Sequence, residues 1–301
     1  MMSSALLLFP DFALILLGAG LRRYLHLGDH FWSGLDKLIY FILFPSLLFS
    51  AIVRTHIDFA ATAPLVMAGA AALFGGMLLG LPLRWIFKQP PLVFASHFQC
   101  AFRFNSYIGL AVVGKFFGAP GIAALGILLG ALVPLANMAA VGMLARHGQG
   151  SVWRELIRNP LIVATSSGLA FNLLGFQLFP PVEQFLHRLS DAALATGLLA
   201  VGAALKLRHA NIRLTAGVTI TAIKLIAAPA LAWAAAKGLG LSGLHFYVAV
   251  LFGALPTASS AYILAVRMNG DGPGVAWLIS ASTLTSMLTL PAWALALGLG
   301  Q

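Results

Sequence analysis

The residues best suited to chemistry in this chain are polar side chains set inside apolar stretches. Gln99-Cys-Ala-Phe-Arg-Phe-Asn-Ser-Tyr-Ile-Gly-Leu110 carries Arg103, Asn105, Ser106 and Tyr107 in a segment otherwise fit for lipid. A second stretch, Gly253-Ala-Leu-Pro-Thr-Ala-Ser-Ser-Ala-Tyr262, places Thr257, Ser259 and Ser260 beside Pro256. Polar groups at membrane depth are costly, so both stretches point to a buried polar site. Pro256 lacks an N–H and breaks the regular helix ladder, while Asn105, Ser106 and Gly109 have to accommodate a break in the first stretch. A half-helix that starts after a break presents unpaired N–H groups and a positive dipole end, which suits a carboxylate. Arg103 adds a bidentate carboxylate partner if it faces the cavity, and snorkels to the interface if it does not. For Asn105 and Ser106 the competing expectation is local capping of a kinked helix with no ligand contact. Thr257, Ser259 and Ser260 read singly as packing and backbone partners, and as ligand groups only together.

Two other ionisable residues fall well inside apolar segments, Asp191 and Lys224, and they could form a charge pair, coupling groups or structural charges. The eight histidines are scattered, mostly near expected helix ends, without HExxH or paired spacing, so no metal is expected. The lone Cys100 excludes an internal disulfide, and Gly18-Ala-Gly20 lacks the context of a nucleotide loop. No cofactor, catalytic carboxylate pair or nucleophile–base motif is recognisable, so the chain is not expected to be an enzyme.

The elements that must hold these groups are membrane helices. With 60% hydrophobic and 9% charged residues, the chain is too apolar for a soluble globule. Its apolar runs are too long for barrel strands. The expected helices are 5–21, 36–53, 62–83, 95–116, 121–145, 160–177, 185–205, 213–236, 244–266 and 274–298. Net charge of +10 would suggest nucleic acid in a soluble protein. Here the basic residues cluster in alternate loops, twelve against four, which places one set of loops in the cytoplasm and both termini outside. The 146–158 link, with Trp153 at the interface, falls in the cytoplasmic set. Gly76-xxx-Gly80 and Gly126-xxx-Gly130 read as close helix contacts, and Asn137 and Asn172 as interhelical hydrogen-bonding groups.

The halves 1–146 and 159–301, joined by the 147–158 link, resemble each other weakly. Tyr107-Ile108, Gly118-Ala-Pro-Gly121 and Pro134 parallel Tyr262-Ile263, Asp271-Gly-Pro-Gly274 and Pro291. Five helices per half makes the second copy inverted, and inverted repeats with matching broken helices point to a secondary transporter.

The chain also resembles the auxin efflux carrier family, which contains plant PIN carriers and bacterial malonate-type permeases and is distantly similar to bile acid–sodium symporters. The resemblance rests on Leu38-Ile-Tyr-Phe-Ile-Leu-Phe-Pro-Ser-Leu-Leu-Phe49, Arg103-Phe-Asn-Ser-Tyr-Ile-Gly109, Arg158-Asn-Pro-Leu-Ile162, Val201-Gly-Ala-Ala-Leu205 and Leu255-Pro-Thr-Ala-Ser-Ser-Ala-Tyr262. It implies an all-α membrane protein of ten helices in two inverted five-helix repeats, with broken helices 4 and 9 crossing. Helices 1, 2, 6 and 7 would form a dimerising scaffold, and helices 3–5 and 8–10 a transport domain moving against it in the bacterial plasma membrane. The function expected is transport of a small organic anion. The alternatives are a sodium-coupled symporter of the bile-acid type, weakened by the scarcity of acidic residues in the helices, and an intramembrane enzyme or receptor.

Overall fold

A computed structural model describes residues 4–25, 27–54, 59–144, 160–205 and 212–299. The regular elements of the described residues are all helices, without a strand. We number the helices α1 (Ser4–Tyr24), α2 (Gly28–Arg54) and α3 (Phe59–Gly80). The broken helix α4 comprises Pro91–Phe98, a 3-10 turn Gln99–Ala101 and residues 106–117; α5 spans 119–144. After the link follow α6 (Pro160–Leu173), α7 (Pro180–Ala203) and α8 (Leu214–Gly238). The second broken helix, α9, comprises Gly243–Ala254 and Ser260–Arg267, and α10 is Gly272–Ala296.

Among the described residues, five stretches are long and apolar enough to cross a membrane by themselves: Gly28–Arg54, Thr62–Ile86, Pro91–Leu144, Leu214–Gly238 and Gly272–Ala296. The third of these is two helices, because Gly118 adopts φ 60° and ψ −146°, a conformation open to glycine, and Pro120 follows inside the next first turn. The expected segments agree with the observed ones to within a few residues, with one larger difference. Helix α2 starts at Gly28, not 36, because the polar run before Leu38 continues the helix, with Trp32 as its buried residue. Lys37 therefore lies in α2, and Arg22 and Arg23 lie in the last turn of α1, where cations suit the carbonyl end. Arg22 pairs with Asp29 across the short connection. The 146–158 link, including Trp153, lies outside the described residues.

Small residues set the packing. A Cβ on Gly202 of α7 would come within 1.7 Å of the Ile15 carbonyl oxygen of α1, and one on Gly18 of α1 within 2.1 Å of the Leu199 carbonyl oxygen. The two helices thus touch backbone to backbone, the arrangement small residues permit in lipid. Helix α2 packs on α6 and α7, whereas α3, α8 and the first half of α9 pack on one another. The glycines of 76 and 80 face Ala101 and Phe98 of α4, and those of 126 and 130 face α2 and α6. The polar groups expected to bind a ligand therefore sit where α4 and α9 meet, inside the second group of helices.

Candidate functional site

Both broken helices open where their sequences place the polar residues. The first half of α9 stops at Ala254, and Leu255 turns to φ −63°, ψ 142°, the extended conformation that a following proline enforces. In α4 the 3-10 turn tightens residues 99–101, and residues 102–105 leave the helix before it restarts at Ser106. The two openings then bond to each other: the Asn105 N–H donates to the Pro256 carbonyl at 2.8 Å. Thr257 adds a second tie, its hydroxyl donating to the Cys100 carbonyl at 2.8 Å, while its N–H donates to the Ser282 hydroxyl of α10 at 3.2 Å. Backbone groups freed at membrane depth must find partners within the protein, and here each break supplies partners for the other. Phe104 and Phe252 seal one side, their rings 4.4 Å apart.

Arg103 does not snorkel. It is 8% exposed, with Nη1 donating to Gln99 Oε1 at 3.4 Å and Nη2 to Ser260 Oγ at 2.9 Å. Gln99 in turn donates from Nε2 to the Ala261 carbonyl at 3.2 Å, so Arg103 and Gln99 together strap α4 to the second half of α9.

Asn105 is 2% exposed and takes the capping role expected for it. Its Oδ1 accepts the N–H groups of Tyr107 at 3.0 Å and Ile108 at 3.3 Å, which caps the second half of α4. Its Nδ2, by contrast, is buried with no hydrogen-bond partner. That distribution narrows one expectation: the Tyr107 and Ile108 N–H groups of this half-helix are occupied by Asn105 rather than open to a carboxylate. In α9 the N–H groups of Ala261 and Tyr262 are likewise taken, by the carbonyls of Ala258 and Ser259. Gly109 is also not at the break. It lies one turn into the helix and makes room for Leu255, whose Cδ1 would be 2.8 Å from an added Cβ. Ser106, Tyr107 and Ser259 are partly exposed and Ser260 exposed, so they rim the crossing rather than fill it. Tyr107 rests on Phe44 of α2, ring centroids 4.5 Å apart.

Asp191 and Lys224 are not a pair. The Asp191 side chain is 66% exposed and meets His187 one turn earlier at 2.9 Å. Lys224 is 2% exposed, sits in a π turn of α8 (Ile223–Ala227), and donates from Nζ to the Gly253 carbonyl at 2.8 Å. Asn172 behaves as an interhelical donor, its Nδ2 reaching the carbonyls of Ile52 and Val53.

One polar pair escaped the sequence reading. His97, buried in the first half of α4, meets Asp271 with Nε2 2.8 Å from Oδ2, although 174 positions separate them. Asp271 also caps α10, accepting the Gly274 N–H at 2.9 Å, and its own N–H donates to Ser96 Oγ at 2.9 Å. The overlooked signal was His97 itself, a titratable residue two turns inside an apolar helix. The aspartate, placed between two open turns as Asp271-Gly-Pro-Gly274, is an N-cap signature. Hydrogen bonds from His97 and from the Gly274 N–H hold the Asp271 carboxyl below the ordinary aspartate value, against a smaller upward push from burial. Among the described residues no group of three or more His, Cys, Asp or Glu could hold a metal ion.

Comparison with known proteins points to membrane transport. A family model described as "Membrane transport protein" matches residues 143–294. A protein of Methanothermobacter thermautotrophicus named only as an uncharacterised transporter is 26% identical, the alignment covering 94% of this chain and 95% of that protein. A provisionally named malonate transporter of Rhizobium meliloti is also 26% identical, with 94% and 92% covered. Auxin efflux carrier component 3a of Oryza sativa subsp. japonica is 33% identical over 39% of this chain but only 20% of its own length. An all-helical, apolar chain with two interlocked broken helices and these relatives belongs to the membrane transport protein family that contains the auxin efflux carriers.

Proposed function

We propose that this membrane transporter is a secondary transporter of a small organic anion, a carboxylate, which binds at the crossing of α4 and α9. The observation that carries this reading is the Asn105 side-chain amide: Nδ2 is a buried donor without a partner, at the point where the two breaks bond to each other. A buried donor left unpaired costs about 1–3 kcal/mol, a cost that an acceptor on the cargo would remove. Arg103, fixed by Gln99 and Ser260, supplies positive charge beside it. The Rhizobium relative's name supports a carboxylate, malonate, as the first cargo to try.

The movement fits alternating access of the elevator type. The chain forms ten spans in two inverted five-helix repeats, with both termini outside and the 146–158 link in the cytoplasm of a bacterial plasma membrane. Helices α1, α2, α6 and α7 act as a scaffold that pairs in a homodimer, and α3–α5 with α8–α10 carry the site past it. The separate packing of α1 on α7 and α2 on α6 and α7, away from α3, α8 and α9, supports this division.

The test is uptake of radiolabelled malonate and a panel of mono- and dicarboxylates into proteoliposomes. Asn105→Ala is expected to lower affinity about 10- to 100-fold, the equivalent of one charge-assisted hydrogen bond. Arg103→Lys is expected to lower uptake as well, because a lysine cannot hold Gln99 and Ser260 in the same fork. Wild-type uptake by both variants would refute binding at the crossing.

A further inference from the structure

The Lys224 ammonium is the least expected charge in the molecule. Among the described residues it forms no ion pair, and its one hydrogen bond goes to a backbone carbonyl. A buried ammonium is expensive unless something compensates it. The compensation here is the carbonyl end of the first half of α9: Gly253 is the penultimate residue of that half, where the last carbonyls lack helical partners and the dipole is negative. The ammonium is not needed to hold α8 to α9. Their backbones already touch, since a Cβ on Gly253 would lie 2.8 Å from Pro229 Cα and 3.1 Å from the Ala228 carbonyl oxygen. The π turn that carries Lys224 also packs against the 3-10 turn of α4. Gly253 precedes Pro256, the acceptor of the Asn105 N–H, by three residues. π turns recur at functional positions because they re-aim a side chain that a regular helix would point elsewhere.

Unwound carbonyl ends of this kind are where transporters with broken helices bind a coupling cation. We infer that the Lys224 ammonium is the resident cation of the crossing. It occupies the carbonyl end that an inorganic ion would otherwise need, so anion binding proceeds without sodium. This inference rests on the anion-transport reading above for its consequence, but not for its geometry.

Two measurements test it. Purified wild-type protein is expected to unfold at the same temperature in sodium chloride and in choline chloride of equal ionic strength. Lys224→Met keeps the stem and removes the charge; it is expected to unfold near the wild-type temperature while malonate uptake drops about tenfold or more. Lys224→Ala opens a space at the carbonyl end, and methylammonium is expected to raise its unfolding temperature without affecting wild type or Lys224→Met. A structural lysine would not give that pattern. Sodium-specific stabilisation of the wild type, wild-type uptake by Lys224→Met, or failure of methylammonium to stabilise a folded Lys224→Ala would each overturn the inference. If Lys224→Ala does not fold, the methionine variant decides. If wild-type protein moves no carboxylate of the panel, the cargo reading fails, and the sodium and methylammonium comparisons still judge the resident cation.

Discussion

At the two ends of the crossing helices, the same kind of contact is made with different chemistry. At one end, the first half of α4 packs against the turn that follows α9, and the contact is His97 with Asp271, supported by Ser96 and Gly274. At the other end, the first half of α9 packs against the last residue of α4, and the contact is Tyr247 stacked on Phe117, ring centroids 5.9 Å apart and nearly parallel. Each joins the start of one broken helix to the exit of the other. The first is a charge-assisted pair whose strength depends on protonation; the second is a ring contact that does not. Similar backbone arrangements therefore need not share a pH response, and a transporter can be made sensitive to acid at one end only.

The largest expected effect is at the polar end. Asp271→Ala removes the cap of α10 and leaves His97 buried without its carboxylate, and together these losses are expected to cost about 2–4 kcal/mol of stability. Asp271→Asn keeps a capping oxygen and should recover part of that. The sign of the pH effect follows from the carboxyl, which is held below the ordinary aspartate value of 3.8. A depressed carboxyl contributes stability that is complete above the ordinary range and is lost as pH falls through the lower native value. Wild type should therefore destabilise on the acid side more than Asp271→Asn does. Equilibrium unfolding in mixed micelles between about pH 2 and pH 6 (about the range over which aspartate titrates) measures both, and parallel acid limbs would remove the distinction between the two ends.

Phe117→Ala is expected to cost less, about 1–2 kcal/mol, since the ring is only partly buried and an aromatic pair adds about 0.5–1.5 kcal/mol to its area. Its acid limb should match that of wild type. A steeper limb in this variant would mean that the two ends are coupled through the helices, and that the polar pair alone does not set the response.

How much of this could be read in the chain depends on whether the cause was local. Pro256 announces its own break, because the missing N–H and the constraint on Leu255 act on neighbouring residues. Asn105 was legible as a break and a candidate ligand, but not as a cap whose oxygen is used and whose nitrogen is left over; that division depends on the path of Tyr107 and Ile108. Arg103 was ambiguous because long side chains look alike in sequence whether they snorkel or strap, and only the position of Ser260 decides. Lys224 and Asp191 stand out in sequence as charges in apolar segments, but sequence leaves open whether they pair; Lys224 reaches the Gly253 carbonyl and Asp191 meets His187 at the surface. The His97–Asp271 pair depends on a fold that brings together residues from opposite halves of the chain, and no spacing rule anticipates it. Helix positions were legible almost throughout, except where the polar start of α2 masked a helix that continues into an apolar run.

The smallest expected effect gives the sharpest check on the aromatic end. Tyr247→Phe keeps the ring, its stack on Phe117 and its edge contact with Phe246, centroids 5.8 Å apart, and removes only the hydroxyl. If the contact is made by the rings, the change should lie within about 0.5 kcal/mol, the range for a substitution that disturbs no packing and no buried partner. The acid limb should be unaltered. A loss of 1 kcal/mol or more (about the net worth of a hydrogen bond) would show instead that the hydroxyl holds a partner. The two ends would then both be polar, and the one-sided acid response would have to be sought in the His97–Asp271 charge rather than in a general difference between polar and apolar contacts. Unfolding of Tyr247→Phe beside Phe117→Leu, which removes the stack and leaves the hydroxyl, separates these outcomes, because the ring reading makes the leucine variant the less stable of the two.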